Sequence, residues 1–88
     1  MLELSYSSKF TKDLLLCTKR GKCIKKLREI ILLLSQNKLL PEKCCNHKLK
    51  GNFSGFYECH IENDLLLIYK ICDGKLRLER LGTHSDLF

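Results

Sequence analysis

The dipeptide Asp73-Gly74 constrains this chain more than any other feature of its sequence. A two-residue hairpin turn needs backbone angles that Asp and Gly accept, and strand-like runs flank the pair on both sides. Strands are therefore expected at about Asp64–Cys72 and Lys75–Thr83. A third, at about Phe56–Ile61, precedes them, with Glu62-Asn63 as the intervening turn. Such a meander leaves a face in need of cover, which other elements must supply.

Upstream residues offer that cover. Leu2, Leu4 and Tyr6 alternate with Glu3 and Ser5, the pattern of a short half-buried strand. Ser7 or Ser8 then supplies a hydroxyl to cap a helix start. Phe10, Leu14 and Cys17 recur at helical spacing until Gly21 breaks the pattern. A second helix is expected from about Lys22 to Ser35, with Ile24, Leu27, Ile31 and Leu34 as its apolar stripe, widened by Cys23 and Ile30. Lys22, Lys25, Lys26 and Glu29 fall opposite, joined by Lys19 and Arg20. Residues 37–50, with the lone Pro41, read as loop, and 51–55 as turn material around Phe53. The fold class is α+β: an N-terminal strand and helical hairpin on a mainly antiparallel four-stranded sheet.

The two turns also set a register. If both are two-residue loops, Cys72 faces Lys75, Leu67 faces Arg80 and Leu65 faces Gly82. Likewise Glu58 faces Leu67 and His60 faces Leu65. Side chains directly across a ladder share a face, so Glu58, His60 and Arg80 converge where an ordinary core would carry Leu or Val. A one-residue slip would scatter them.

Eighty-eight residues make one domain, 1–88, burying about two-thirds of the surface of the unfolded chain. The longest apolar runs, Ile30–Leu34 and Leu65–Tyr69, are too short to span a bilayer, and an acid stands where a signal peptide would be basic. A cytoplasmic protein with no membrane partner is expected. Reducing surroundings then make Cys17, Cys23, Cys44, Cys45, Cys59 and Cys72 packing thiols rather than a disulfide framework. Zinc is the sharper alternative, because Cys44, Cys45, His47, Cys59 and His60 cluster in the sequence. Without a Cys-x-x-Cys, no metal or other cofactor is expected.

Charge points to a partner. Residues 1–50 carry twelve basic against four acidic side chains, whereas residues 51–88 carry four against six. A half-domain at +8 suits a polyanion such as RNA, or simply keeps a small protein soluble. RNA carries its own nucleophile, the 2′-hydroxyl. Cleavage needs a base for that proton, a cation for the phosphorane and an acid for the leaving 5′-oxygen, and histidine serves either proton role. His84 follows the last strand in a loop, His60 sits at a strand end beside Asp64 across the turn, and His47 lies in the preceding loop. Each has a plainer alternative: surface histidine, core-edge histidine, turn decoration. Arg80 either pairs with Glu58 or awaits a phosphate. Asp64 is a turn residue or a participant. Phe88 is a hydrophobic anchor or a platform for a base.

The run Asn46-His47-Lys48-Leu49-Lys50-Gly51, then Gly55-Phe56-Tyr57-Glu58-Cys59-His60, resembles the central block of YafQ-type toxins of the RelE/ParE superfamily. Asp64, Leu67-Ile68-Tyr69-Lys70 and Leu78-Glu79-Arg80-Leu81-Gly82-Thr83-His84-Ser85-Asp86-Leu87-Phe88 continue the likeness, which is close over residues 46–88. It implies a RelE-like fold and the toxin of a type II toxin–antitoxin pair, an endoribonuclease that cuts messenger RNA in the ribosomal A site without a metal. His47, His60, Asp64, Arg80, His84 and Phe88 would form the active site, with His84 as acid, His60 or Asp64 as base, and Arg80 and His47 on the phosphate. Lys22, Lys25, Lys26, Lys50 and Glu58 would contact RNA. The implied partners are ribosome, messenger RNA and a small antitoxin, acidic and partly disordered, with the free toxin a monomer. Two departures stand out: Tyr57 where relatives often carry Arg, and Leu65 where one relative's aromatic falls. A non-catalytic RNA or ribosome binder that blocks translation by occupancy is the alternative.

Overall fold

The computed structural model describes residues 1–22 and 24–88, so the expectation for Cys23 lies outside the described residues. In chain order the elements are β1 (Glu3–Tyr6), α1 (Ser8–Lys19), α2 (Ile24–Ser35), β2 (His47–Lys48), β3 (Tyr57–Glu62), β4 (Leu65–Cys72), β5 (Lys75–Gly82) and α3 (His84–Leu87). Single 3-10 turns occupy Glu42–Cys44 and Gly51–Phe53. The sheet runs β1-β5-β4-β3-β2, with β1 parallel to β5 and the other pairs antiparallel. It has five strands rather than four. The extra one, β2, lies inside the segment expected to be loop and is only two residues long, too short to show any period. The tail differs as well: His84 opens a short helix instead of a loop.

Local chemistry sets the helix ends. The Phe10 amide donates to the Ser7 hydroxyl at 2.9 Å, and Ser7 is the N-cap of α1. At the other end Gly21 adopts φ +75°, and the Lys22 and Gly21 amides donate to the Cys17 and Thr18 carbonyls. This is a Schellman stop, which needs a left-handed residue at that point. Phe10 and Cys17 of α1 and Leu27, Ile30 and Leu34 of α2 pack on Cys59, Ile61, Leu65, Leu67, Tyr69, Leu76, Leu78 and Leu81 of the sheet. A smaller cluster on the opposite face joins Leu66 and Ile68 to Leu87, with Leu49, Phe53 and Phe56 against it.

The register departs from expectation twice, and the two departures cancel. Asn63-Asp64, not Glu62-Asn63, forms the β3–β4 turn, and Asp64 takes φ +53° there. With an irregularity between His60 and Glu62, His60 faces Leu66 and Glu58 faces Ile68. The Asp73-Gly74 turn forms as expected, both residues at positive φ, and Cys72 faces Lys75. A bulge between Ile68 and Tyr69 then moves β5 by one, so Arg80 faces Ile68 and Gly82 faces Leu66. Each β4 partner shifts by one residue, while β3 and β5 keep their mutual alignment. Glu58 and Arg80 still share a row, and His60 and Gly82 the next.

Of the described cysteines, Cys17, Cys44 and Cys59 are buried and Cys45 and Cys72 exposed, all as free thiols. Burial pushes the Cys59 thiol up to about 12. Because alkylation requires the thiolate, Cys59 reacts far more slowly than an ordinary thiol near pH 8. Brief iodoacetamide treatment of native protein at that pH should label Cys45 and Cys72 and spare Cys59, as read by peptide mass spectrometry. Denaturant should expose all three.

Candidate active site

On the face away from α1 and α2, Glu58 projects from β3 with its side chain only 6% exposed, and two imidazoles meet its Oε1. His47 Nε2, from β2, lies at 3.4 Å and His60 Nε2, two residues along β3, at 3.7 Å. A carboxylate this buried requires partners, and both imidazoles serve. The pairing of His47 with Glu58 across β2 and β3 is what brings His47 there. Its Nδ1 lies 2.7 Å from the Cys45 carbonyl, which fixes the ring's other side.

His60 and His84 rings stand 6.1 Å apart, centroid to centroid. The Asp64 carboxylate holds His84 rather than His60: the His84 amide donates to Oδ1 at 3.2 Å, and His84 Nδ1 lies 3.4 Å from the same oxygen. Phe88 follows one turn later, 6.3 Å from the His84 ring and 5.8 Å edge-on to Phe53. Phe53 meets Phe56 in turn, and the Lys70 ammonium lies 5.0 Å from the Phe56 centroid. A continuous line of contacts therefore runs His47, Glu58, His60, His84, Phe88, Phe53 and Phe56. Phe88 is 61% exposed, so one ring within the line is open to solvent.

Arg80 shares this sheet face by register, but its partner is neither Glu58 nor a vacant space. Its Nε and Nη2 donate to the Asp13 carboxylate at 2.7 and 3.2 Å. Asp13 sits there because β1 ends at Tyr6, opposite Leu78, and leaves the outer edge of β5 to other donors and acceptors. The Ser7 hydroxyl donates to the Glu79 carbonyl at 2.6 Å, and the Leu81 amide donates to Asp13 Oδ2 at 3.0 Å. One carboxylate thus satisfies a strand edge and orients a guanidinium.

The basic residues divide. Lys25 and Lys26 are exposed on α2, on the helical side, and Lys50 is exposed just beyond β2. Lys22 lies half-buried in the turn before α2. An open groove of about 650 Å³ between α2 and the end of β3 is lined by Lys26, Ile30, Leu33, Pro41, Lys43 and His60, among others. It links the helical basic surface to one histidine of the site. Tyr57 belongs to the other face: it stacks on Tyr69 at 5.8 Å beside the main core, with the Lys48 ammonium 6.0 Å from its ring. Leu65 is fully buried in that core. Among the described residues, no group of three or more His, Cys, Asp or Glu side chains is disposed to hold a metal ion.

Sequence patterns missed Asp13, Phe53, Phe56, Lys70 and Asp86 as contributors. Only Asp86 left a local signal, the Thr-x-x-acid spacing of a capping box from Thr83. Asp13 should be tested first. Its replacement by Ala strands Arg80 and the Leu81 amide in partly buried surroundings, and should lower unfolding free energy by about 1–3 kcal/mol, measured by urea titration.

Comparison with known proteins identifies the family. Residues 2–88 match the family described as the bacterial toxin of type II toxin–antitoxin system, YafQ. The mRNA interferase toxin YafQ of Escherichia coli is 42% identical over 87 residues, covering 98% of this chain and 95% of that protein. A metal-bound toxin from Helicobacter pylori is 42% identical with a TM-score of 0.93, covering 100% of both chains. YafQ in the E. coli DinJ–YafQ complex is 40% identical with a TM-score of 0.92, covering 100% of this chain and 99% of that one. Sequence and fold coincide over nearly the full length, and this chain belongs to the YafQ family of type II toxin–antitoxin toxins.

Proposed function

We propose that this chain is an endoribonuclease that cuts messenger RNA in the ribosomal A site and so arrests translation. The observation that carries the reading is the gathering of His47, His60 and His84, from three separate elements, around two carboxylates on one open sheet face. Family membership supports the toxin role, and the name of the E. coli relative supports RNA cleavage.

In this scheme the RNA 2′-hydroxyl attacks its own phosphate. His60 takes the hydroxyl proton and His84 protonates the leaving 5′-oxygen. Asp64 touches His84 through both amide and ring, which suits a positioning role and favours His60 over Asp64 as base. Glu58 orients His47 and His60. Asp13 engages Arg80 through Nε and Nη2, so Nη1 is the atom aimed at a phosphate oxygen as charge builds on the phosphorane. His47 assists it, and Phe88 offers a stacking face for a base. Lys22, Lys25, Lys26 and Lys50 contribute attraction to RNA and ribosome at longer range. The chemistry calls for no metal ion.

The partner we infer is an acidic, partly disordered antitoxin that covers the cationic surface, consistent with the E. coli DinJ–YafQ complex. The free toxin acts as a monomer in the cytoplasm. Among the described residues no helix is long and apolar enough to cross a membrane.

Mapping transcript 5′ ends after brief expression tests the reading. His84→Ala should reduce cleavage on the order of a hundredfold or more, relieve growth arrest and leave antitoxin binding intact. A chelator selective for transition metals, which spares ribosomal magnesium, should leave the wild-type rate unchanged. Growth arrest without shortened transcripts would instead favour a non-catalytic binder, and then Lys25 and Lys26 would matter more than His84.

A further inference from the structure

His84 and Phe88 are carried by a single helical turn at the chain's end, and a turn so short cannot hold its own geometry. Several ties hold it. Leu87 plugs the small apolar cluster under the site, and Asp64 accepts the His84 amide. The Asp86 amide donates to the Thr83 hydroxyl at 3.2 Å, while the Thr83 amide donates to Asp86 Oδ2 at 3.0 Å, closing a capping box. The same Asp86 carboxylate receives Arg20 Nη1 at 2.7 Å and Nη2 at 3.4 Å.

Arg20 is itself well anchored. It is the C-cap of α1, fixed by its amide to the Leu16 carbonyl and followed by the Gly21 stop. Gly82, the last residue of β5, completes the fit: a β-carbon there would stand 3.0 Å from both the β-carbon and Oδ2 of Asp86. The carboxylate therefore folds back closely over Gly82, and any β-carbon there would press on it. The Arg20 hydrogen bond and then the Thr83 amide hold the Asp86 carboxyl down at about 2. Its contribution is thus complete above the ordinary carboxylate range and is lost only as pH falls toward about 2.

We propose that Arg20 and Asp86 form a latch joining the end of α1 to the C-terminal turn, and that they are positioning residues for His84. Neither touches the reacting atoms. The latch rests on the proposed role of His84, but its mechanical part stands on geometry alone. Partial exposure, 39% for Arg20 and 25% for Asp86, makes it sensitive to salt.

The test pairs kinetics with hydrogen exchange on the full chain. Arg20→Ala and Asp86→Ala should each lower kcat on programmed ribosomes about fivefold with KM nearly unchanged, the size expected of a partly exposed ion pair. The double variant should be no worse than either single one, since both break one connection. Arg20→Lys should recover part of the loss. Exchange at the Thr83 and His84 amides should quicken in both single variants while the β4 amides stay protected. The proposal is overturned if Arg20→Ala acts through KM with a shallower salt dependence while Asp86→Ala is silent, which would make Arg20 a direct RNA contact. Unchanged exchange in both variants overturns it equally. Were the wild-type chain to leave RNA intact, the nuclease reading would fall and the exchange rates would still judge the latch.

Discussion

Alternation of side chains across β3, β4 and β5 is the constraint on which the rest of the molecule depends. Odd-numbered positions of β3 and the nearer part of β4 bury apolar groups under two helices. Even-numbered neighbours deliver Glu58 and His60 to the far side, over a floor of Leu66 and Ile68. Slipping one strand by a residue would exchange these roles and place a carboxylate in the main core. Strong burial of Leu65, Leu67, Leu76, Leu78 and Leu81 opposes any such slip. The hydrophobic layer thereby fixes the polar one.

Carboxylates do the fine placement. Glu58 receives two histidines, Asp64 the amide and ring of His84, Asp13 the Arg80 guanidinium, and Asp86 the cap of the last turn. In the proposed function a cationic half-domain supplies the attraction for RNA, yet the groups nearest the candidate chemistry are each held by an acid. This separates long-range steering from local orientation, two tasks that place opposite demands on net charge. The open groove beside His60 adjoins both regions.

Tyr57 illustrates how a sequence departure changes meaning once a face is assigned. The family resemblance implies an Arg at this position, so loss of a cation is the first concern the sequence raises. Here the ring lies against Tyr69 on the helical side, where it packs beside the main core. Arg80 shows the converse. Its charge drew attention from the sequence, but the partner that orients it, Asp13, lies 67 residues earlier and carries no local mark.

What the amino-acid order determined by itself was local: the Asp73-Gly74 turn, a serine cap at Ser7 or Ser8, the Gly21 stop, helix stripes, and the histidines and aromatic ring of a recognisable motif. Periodicity and turn chemistry act within a few residues, so they leave a readable trace. The two bulges, the pairing of β2, the Asp13–Arg80 grip and the Arg20–Asp86 connection were decided only by folding. Each depends on which backbone edge or carboxylate ends up beside a distant segment, and such encounters follow from packing the whole sheet against its helices.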